Sequence, residues 1–272
     1  MSDLEFNAMQ VNGATEEKTI EVAKVNNDQH IKFVNRTNAK GLSALSYNMS
    51  CSSVSLSHDK ITKLCDYIKK QGIGVICLQD VSETSLTIFK SKIFGYEVLE
   101  TFIDDKKETG TVIFFLKKKF ELVDPYYLDC PSTMDRSLIG CKIKSLSGTI
   151  YDIVNVHLED FKYNDEYRAK QFSLVAEYTN ENPNTLVLGD FNIFDVAESV
   201  NDMIETTGMT DAWIALGCPN KLRSTTTFKD INKSIRSVRA LHYSTADFTI
   251  NKMALINLVN TRSALSVFFN DK

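Results

Sequence analysis

Short apolar runs of strand length recur from about residue 41 to the end of the chain, and only a few amphipathic stretches of helix length lie between them. The strand candidates are 42–47, 75–78, 96–101, 111–116, 139–143, 150–156, 186–188, 247–250 and 265–269. The helix candidates are 60–70, 81–92, 167–179 and 197–206. Because strands outnumber helices about two to one, and hairpin-like pairs mix with β-α-β units, we predict two mixed sheets packed face to face with helices outside.

The length of 272 residues, 43% of them hydrophobic, allows a substantial core within one domain. Residues 1–40 are polar and lack sustained periodicity, so we predict a flexible N-terminal arm with at most one short strand, followed by a domain over 41–272. No apolar stretch approaches the roughly 20 residues of a membrane-spanning helix. We expect an intracellular protein, cytoplasmic or nuclear, without membrane contact, and we predict a monomer.

The formal net charge is −4, so the chain lacks the basic excess of a protein that binds phosphate backbones over its whole surface. This balance does not exclude a nucleic-acid or phosphodiester substrate. It requires that such a substrate be bound by a few local groups.

Isolated polar side chains stand where the predicted strands end. Asn48, Asp80, His157, Asp190 and Asn192 each follow an apolar run. Carboxylates, amides and an imidazole gathered at one edge of a sheet suit phosphate chemistry with a hard cation. Taken singly, each of these residues is more often a turn residue, a helix cap or a hydrogen-bonded structural residue. Their recurrence at four strand ends favours a common site.

Four segments carry a family resemblance: Ser46-Tyr47-Asn48, Ile76-Cys77-Leu78-Gln79-Asp80-Val81, Val156-His157-Leu158-Glu159 and Leu188-Gly189-Asp190-Phe191-Asn192. In this order they resemble the successive signatures of the endonuclease/exonuclease/phosphatase superfamily, from about residue 41 to the end. Further similarity to the tyrosyl-DNA phosphodiesterases within it lies in 110–118, 134–139 and 211–217, and in Arg168 and Gln171.

The resemblance implies a four-layer α/β sandwich of the DNase I-like type, which hydrolyses a phosphodiester by in-line attack of water. It implies that Asn48 orients the phosphate, that His157 contacts it, and that Asp190 orients or activates the water. Asn192 would fix the scissile phosphate, and Asp247 would support the region of the family's final histidine.

The same resemblance implies one divalent cation, Mg²⁺ or Mn²⁺, bound by Asp80. Arg136 would lie on the substrate side, with packing as its alternative role, whereas packing is favoured for Trp213. The expected substrate is a nucleic-acid end or a 5′-tyrosyl link to nucleic acid. The sequence does not separate these from the substrates of sphingomyelinases, inositol phosphatases or deadenylases on the same fold.

Two departures from the family pattern affect this assignment. Asp80 stands where the family has Glu, and a side chain one methylene shorter reaches roughly 1.5 Å less far. The family's late Ser-Asp-His is replaced by Thr261-Arg262-Ser263. His242 is a candidate substitute for the lost imidazole, and its alternative is an ordinary loop residue. The chain is thus either a phosphodiesterase or a lapsed enzyme that binds nucleic acid or a phosphorylated partner without turnover.

Overall fold

The fold is seen in a computed structural model, which describes residues 7–12, 20–24, 41–50, 57–101, 108–160, 162–180, 182, 184–193, 204, 207–228, 233–235, 238, 240–243, 246–257 and 263–271. Of the helix predicted over 197–206, all but residue 204 lies outside the described residues.

The strands are β1 Asn7–Asn12, β2 Ile20–Lys24, β3 Ser43–Asn48, β4 Val75–Val81, β5 Tyr96–Glu100, β6 Gly110–Leu116, β7 Phe120–Asp129, β8 Ser137–Ser145, β9 Ile150–His157, β10 Thr185–Asp190, β11 Met209–Asp211, β12 Thr226–Phe228, β13 Lys233–Ile235, β14 Ala240–Tyr243, β15 Phe248–Asn257 and β16 Ser263–Asp271. The helices are α1 His58–Gln71, α2 Glu83–Lys92, α3 Asp165–Thr179 and α4 Ala212–Ala215, with 3₁₀ turns at Lys162–Asn164 and Asn220–Leu222. No helix in the described part of the chain is long and apolar enough to span a bilayer.

Two mixed sheets form the centre of the molecule. The first has the strand order β2-β1-β15-β16-β3-β4-β6-β5, and the second has the order β11-β14-β10-β9-β8-β7. β12 and β13 form a separate two-stranded pair. Each large sheet contains one parallel pair, β3 with β4 and β9 with β10, among antiparallel neighbours. This arrangement confirms the predicted pair of mixed sheets flanked by helices.

Strand periodicity places the core in three layers. In β4, Val75 and Cys77 pack between the two sheets, whereas Ile76 and Leu78 pack against α1 and α2. In the second sheet, the strand residue Val154 faces the opposite way, toward α3. Because neighbouring residues of a strand point to opposite faces, both sheets are buried on both sides, and the four layers follow.

A polar link joins the two sheets inside this apolar core. Asn155 of β9 donates through Nδ2 to the backbone oxygens of Leu78 and Val112, each at 2.9 Å. Its Oδ1 accepts from Gln79 Nε2 at 2.8 Å. Asn155 and Gln79 are both fully buried, and buried amides are tolerated when they are hydrogen-bonded. The link fixes the position of one sheet relative to the other.

The N-terminal region contributes two strands to the first sheet, where the sequence predicted at most one. β1 pairs antiparallel with β15, and β2 pairs with the outer side of β1. The remainder of residues 1–40 lies outside the described residues, and the domain boundary at residue 41 stays a prediction.

β7 was missed by the sequence analysis because its sequence, FELVDPYYLD, contains a proline and three acids. Proline lacks the backbone N–H that a central strand needs, so it occurs in edge strands and at bulges. β7 is the edge strand of the second sheet, and its pairing shifts register between Leu122 and Asp124, directly before Pro125.

A buried carboxylate lies at the end of the second sheet where β9 begins. Asp152 accepts a hydrogen bond from the Tyr126 hydroxyl at 2.5 Å through Oδ1, and its Oδ2 has no hydrogen-bond partner among the described residues. Burial raises the pKa of Asp152, and it also raises the pKa of Tyr126. Desolvation therefore disfavours the charged form of this residue at neutral pH.

We expect Asp152→Asn to increase the free energy of unfolding at pH 8 by about 1 kcal/mol, because the amide removes the buried charge and keeps an acceptor for Tyr126. The raised folded-state pKa means that wild type gains stability as the pH falls toward the ordinary aspartate value, so the advantage of the variant should shrink on acidification. Chemical denaturation from pH 5 to pH 8 measures this. A variant less stable than wild type at pH 8 would contradict it.

Candidate active site

Four strands end at one edge of the two sheets. β3 and β4 are parallel and pair Asn48 with Gln79, so Asp80 lies at the same edge as Asn48. β9 and β10 are also parallel, and their register pairs Asp190 with His157. The structure therefore brings polar residues from both sheets to one edge.

Asn48 connects the two sheets at this edge. Its buried side chain donates from Nδ2 to Asp190 Oδ2 at 2.8 Å, and the same nitrogen lies 3.3 Å from His157 Nε2. The amide is oriented by Ser50, whose backbone N–H donates to Asn48 Oδ1 at 2.9 Å. An amide N–H from the first sheet is thus directed at a carboxylate and an imidazole of the second.

Arg136 lies on the other side of the imidazole, with its Nη1 2.8 Å from His157 Nδ1. Burial lowers the pKa of Arg136. Four carboxylates act on this pKa in the opposite direction, namely Asp80, Glu159, Asp190 and Asp160. The guanidinium therefore lies among the acids of the edge and balances part of their charge.

Asp80 is held in an unusual backbone conformation. Its φ is 54°, and it lies where the pairing of β4 with β6 shifts register between Leu78 and Val81. Such a bulge re-aims a side chain at a sheet edge. Asp80 is buried, and its Oδ1 accepts from the Thr109 hydroxyl at 2.8 Å.

Positive φ angles recur around this edge. Ser50, Asp80, Asp135 and Asn192 are four of the five non-glycine residues with positive φ among those described. Each is a site residue itself or lies within two positions of one. Left-handed backbone costs roughly 1–2 kcal/mol for such residues, and it persists where the surrounding structure imposes it, often at functional sites.

Glu159 anchors the loop that carries Arg136, a role that the sequence analysis did not assign. Its fully buried Oε1 accepts from the Ser132 hydroxyl at 2.7 Å, from the Thr133 backbone N–H, and from the Met134 backbone N–H at 3.1 Å. The Ser132 hydroxyl oxygen in turn accepts from the backbone N–H of Arg136 at 2.8 Å. The carboxylate therefore fixes the backbone that presents the guanidinium.

Helix α3 supports the same loop. Gln171 accepts from the Glu159 backbone N–H at 2.8 Å and donates to the Pro131 oxygen at 2.9 Å. Arg168 donates to the Glu159 backbone oxygen at 2.7 Å. The sequence grouped Arg168 and Gln171 with the His157-Leu158-Glu159 segment only through a resemblance. Their common partner, Glu159, could be found only from the fold.

Asn192 and Asp247 have other partners. Asn192 Nδ2 donates to the Leu158 backbone oxygen at 2.8 Å, so its predicted role on the phosphate stays a prediction. Asp247 is exposed and exchanges two hydrogen bonds with Asn184, which precedes β10. Asp190 ends that strand, six residues later and roughly 20 Å away at about 3.3 Å per residue. The structure thus does not bring Asp247 to the site, because it lies at the opposite end of β10.

His242 and Trp213 lie in the core instead of the site. His242 pairs with Leu186 in the antiparallel β14–β10 register, and its ring packs edge-on against Phe269 with centroids 5.6 Å apart. This position does not substitute for an imidazole at the edge. Trp213 packs against the core between the sheets and donates from Nε1 to the Pro219 oxygen at 3.1 Å, which agrees with the favoured packing role.

The stretch that replaces the family's Ser-Asp-His leads into this edge. β16 is antiparallel to β3 and pairs Leu265 with Ser46, so its first residue, Ser263, lies at the same end as Asn48. The Ser263 backbone N–H donates to the Thr225 oxygen at 3.0 Å. Residues 261 and 262 lie outside the described residues.

Among the residues that the structure describes, no three or more histidine, cysteine, aspartate or glutamate side chains are grouped to hold a metal ion. Mg²⁺ needs no such group, because it usually binds one or two carboxylates and completes its shell with waters and substrate phosphate. Asp80 and Asp190 supply carboxylate oxygens at the edge, so the donor chemistry fits Mg²⁺ or Mn²⁺.

Comparisons with known proteins show similarity in sequence and in fold. No family model matches the chain. Tyrosyl-DNA phosphodiesterase 2 of Danio rerio is 27% identical over 188 residues, which is 68% of this chain and 50% of that protein. The chain spans about half the length of the curated relatives it matches.

Two solved structures show the same fold. Danio rerio tyrosyl-DNA phosphodiesterase 2, complexed with a single-strand DNA product, superposes with a TM-score of 0.70 at 23% identity, covering 84% of this chain and 98% of that one. An endonuclease/exonuclease/phosphatase from Bacteroides vulgatus gives a TM-score of 0.69 at 15% identity, covering 86% and 100%. This chain has the endonuclease/exonuclease/phosphatase fold. Its sequence similarity is to tyrosyl-DNA phosphodiesterase 2.

In this endonuclease/exonuclease/phosphatase fold, Gly189 allows β10 to approach β9 beside Asp190. Its φ is +154°, and a Cβ there would lie 2.0 Å from the Val156 oxygen. We expect Gly189→Ala to lower the free energy of unfolding by about 2–4 kcal/mol. Gly148→Ala is the matched control, because Gly148 has a φ of +93° and open space around its Cβ position. The control should lose only about 1–2 kcal/mol in the same denaturation assay. Equal losses of stability in the two variants would show that β10 does not approach β9 closely at Gly189.

We expect Glu159→Gln to lower the free energy of unfolding by about 2–4 kcal/mol. The amide removes the charge that strengthens the hydrogen bonds at Oε1, and it sets an NH₂ group against the Thr133 hydroxyl and Asn164 Nδ2, which donate to Oε2 at 3.4 Å. Glu166→Gln on α3 is the matched control, since Glu166 is exposed and pairs with Lys170. The control should leave the urea midpoint nearly unchanged. A Glu159→Gln protein as stable as the control would show that the carboxylate does not anchor the loop.

Proposed function

We propose that this chain is a divalent-metal-dependent phosphodiesterase that hydrolyses a phosphodiester at its sheet edge. The observation that carries the proposal is that Asn48 of the first sheet lies within hydrogen-bonding distance of both His157 and Asp190 of the second sheet. Asn48 Nδ2 and His157 Nε2 are 3.3 Å apart, so one phosphate oxygen can lie within reach of both nitrogens. Donors fixed in place before the reaction stabilise negative charge as it develops on phosphate.

Asp190 is the residue proposed to orient the attacking water. Its carboxylate is buried, and both of its oxygens are oriented by donors, Oδ2 by Asn48 and Oδ1 by the backbone N–H of Asn192 at 3.3 Å. A carboxylate held in this way can accept a proton from a water molecule that lies in line with the phosphorus–oxygen bond. Asn192 then supports Asp190 through its backbone.

Asp80 is the proposed ligand of Mg²⁺ or Mn²⁺. A bound cation would supply charge neutralisation on the phosphate. Thr109 fixes the Asp80 carboxylate through Oδ1. The short Asp side chain in place of the family's Glu favours a cation that keeps several of its waters.

The proposed substrate is a nucleic-acid end or a 5′-tyrosyl link to nucleic acid. Support comes from the names of the relatives, which are tyrosyl-DNA phosphodiesterases, and from a similar structure that contains a single-strand DNA product. The chain's net charge of −4 requires that such a substrate be recognised by a few local groups.

A second candidate function is nucleic-acid or phosphate binding without turnover. It is motivated by Thr261-Arg262-Ser263, which lacks both the acid and the imidazole of the family's Ser-Asp-His. Loss of one donor to transition-state charge typically reduces rates about 10²- to 10³-fold. A cationic arginine in that stretch would preserve affinity for phosphate without supplying a proton.

The test is release of tyrosine from a 5′-tyrosyl oligonucleotide in the presence of Mg²⁺ or Mn²⁺. We expect Asp190→Asn to reduce release at least about 100-fold, because the amide cannot take a proton from water. Asp66→Asn is the matched control, since Asp66 is exposed on α1 and pairs with Lys69. This control should keep wild-type activity.

If the wild type releases no more tyrosine than Asp190→Asn does, the proposed phosphodiesterase activity is refuted. Calorimetric titration of the same oligonucleotide then decides the second function. Retained binding without release would support the lapsed enzyme, and absence of both would reject it too.

A further inference from the structure

The guanidinium of Arg136 is directed into the protein. Its Nη1 lies 2.8 Å from His157 Nδ1, and its Nη2 donates toward the Met134 sulfur at 3.9 Å. Its Nε is buried and has no hydrogen-bond partner among the described residues. An arginine that grips a substrate would instead direct two parallel N–H groups at the bound phosphate.

The contact with Arg136 selects one form of the His157 ring. A guanidinium donates hydrogen bonds and accepts none, so Nδ1 must offer its lone pair. A neutral imidazole has one N–H, which is then on Nε2. A doubly protonated ring would set N–H against N–H between two cations at 2.8 Å. The contact therefore fits only the neutral ring with its proton on Nε2.

The selected proton points toward the site. Nε2 is the ring atom that lies 3.3 Å from Asn48 Nδ2, beside Asp190. Two nitrogen donors do not bond to each other, but an oxygen atom that lies to one side, within hydrogen-bonding reach of both, can accept from each. A phosphate oxygen is such an acceptor.

The position of Arg136 is itself imposed by the fold. The buried carboxylate of Glu159 accepts from the Ser132 hydroxyl and from the backbone N–H groups of Thr133 and Met134. The Ser132 hydroxyl in turn accepts from the Arg136 backbone N–H. Because Glu159 follows His157 by two residues, one short segment carries both the imidazole and the anchor of the arginine that contacts it. This short segment therefore fixes the distance between the guanidinium and the imidazole.

We propose that Arg136 is a positioning residue that holds His157 as the neutral Nε2–H tautomer, directed at the phosphate, and that it does not contact the substrate. This replaces the substrate-side role expected from the sequence, and its catalytic meaning rests on the proposed function. Glu159 contributes by anchoring the loop.

The test is the ¹⁵N imidazole spectrum of the metal-free full chain at neutral pH. The chain has four histidines, and His157→Gln assigns the His157 signals. In wild type we expect Nδ1 in the non-protonated range and Nε2 in the protonated range. In Arg136→Met, Nδ1 should move toward the protonated range, because the ring is free to carry a proton there. Arg136→Lys keeps a donor and should restore most of the wild-type pattern.

Arg223→Met is the matched control, since Arg223 is exposed, and it should leave all His157 signals in place. Amide spectra of each variant establish that it is folded. The proposal is overturned if His157 Nδ1 is already protonated in wild type, or if Arg136→Met leaves both ring nitrogens unchanged.

Kinetics separate this proposal from the proposed function. If the wild type releases tyrosine, Arg136→Met should lower kcat about 10- to 100-fold, the range for partners that orient a functional histidine, with little change in KM. A raised KM at unchanged kcat would assign Arg136 to substrate binding and overturn the proposal. If wild type releases nothing, the proposed function fails, and the ring spectra alone decide whether Arg136 sets the tautomer.

Discussion

In the second sheet, β9 and β10 lie side by side in parallel, with Gly189 close against the Val156 backbone. This register sets Asp190 beside His157, and no side chain larger than hydrogen fits at residue 189 without moving a main chain. The polar edge therefore depends on backbone hydrogen bonds buried in the centre of the molecule. Backbone groups in an apolar core have no water with which to form a hydrogen bond instead, so these bonds keep Asp190 and His157 in a fixed relative position.

The first sheet joins the site through a few buried amides. Asn155 and Gln79 connect the sheets below the edge, and Asn48 connects them at the edge itself. A buried amide that loses its hydrogen bond destabilises the folded protein, because the interior has a low dielectric constant. Each of these amides therefore favours one relative position of the two sheets. The same interactions that stabilise the sandwich thus orient the groups proposed to meet a phosphate.

This double role bears on the choice between an active and a lapsed enzyme. Asn48, Glu159 and Asn192 each form a hydrogen bond with a backbone group, so each would be retained for stability even if catalysis were lost. Their presence alone therefore does not establish turnover. The Arg136–His157 contact is different, because it brings a cation to an imidazole at the edge and satisfies no backbone group.

The sequence by itself determined the pair of mixed sheets, since short continuous apolar runs mark strands buried on both faces. It also located Asn48, Asp80, His157 and Asp190 at strand ends. It missed β7, whose proline is compatible only with the edge position that pairing gives it. It also grouped Asp247 with the site, although an antiparallel connection carries that residue to the far end of β10. Only the tertiary structure decided that Glu159 anchors the Arg136 loop and that Arg136 faces His157. Local sequence sets which residues end a strand, but partners distant along the chain are set by strand order and register, which depend on the packing of the whole molecule.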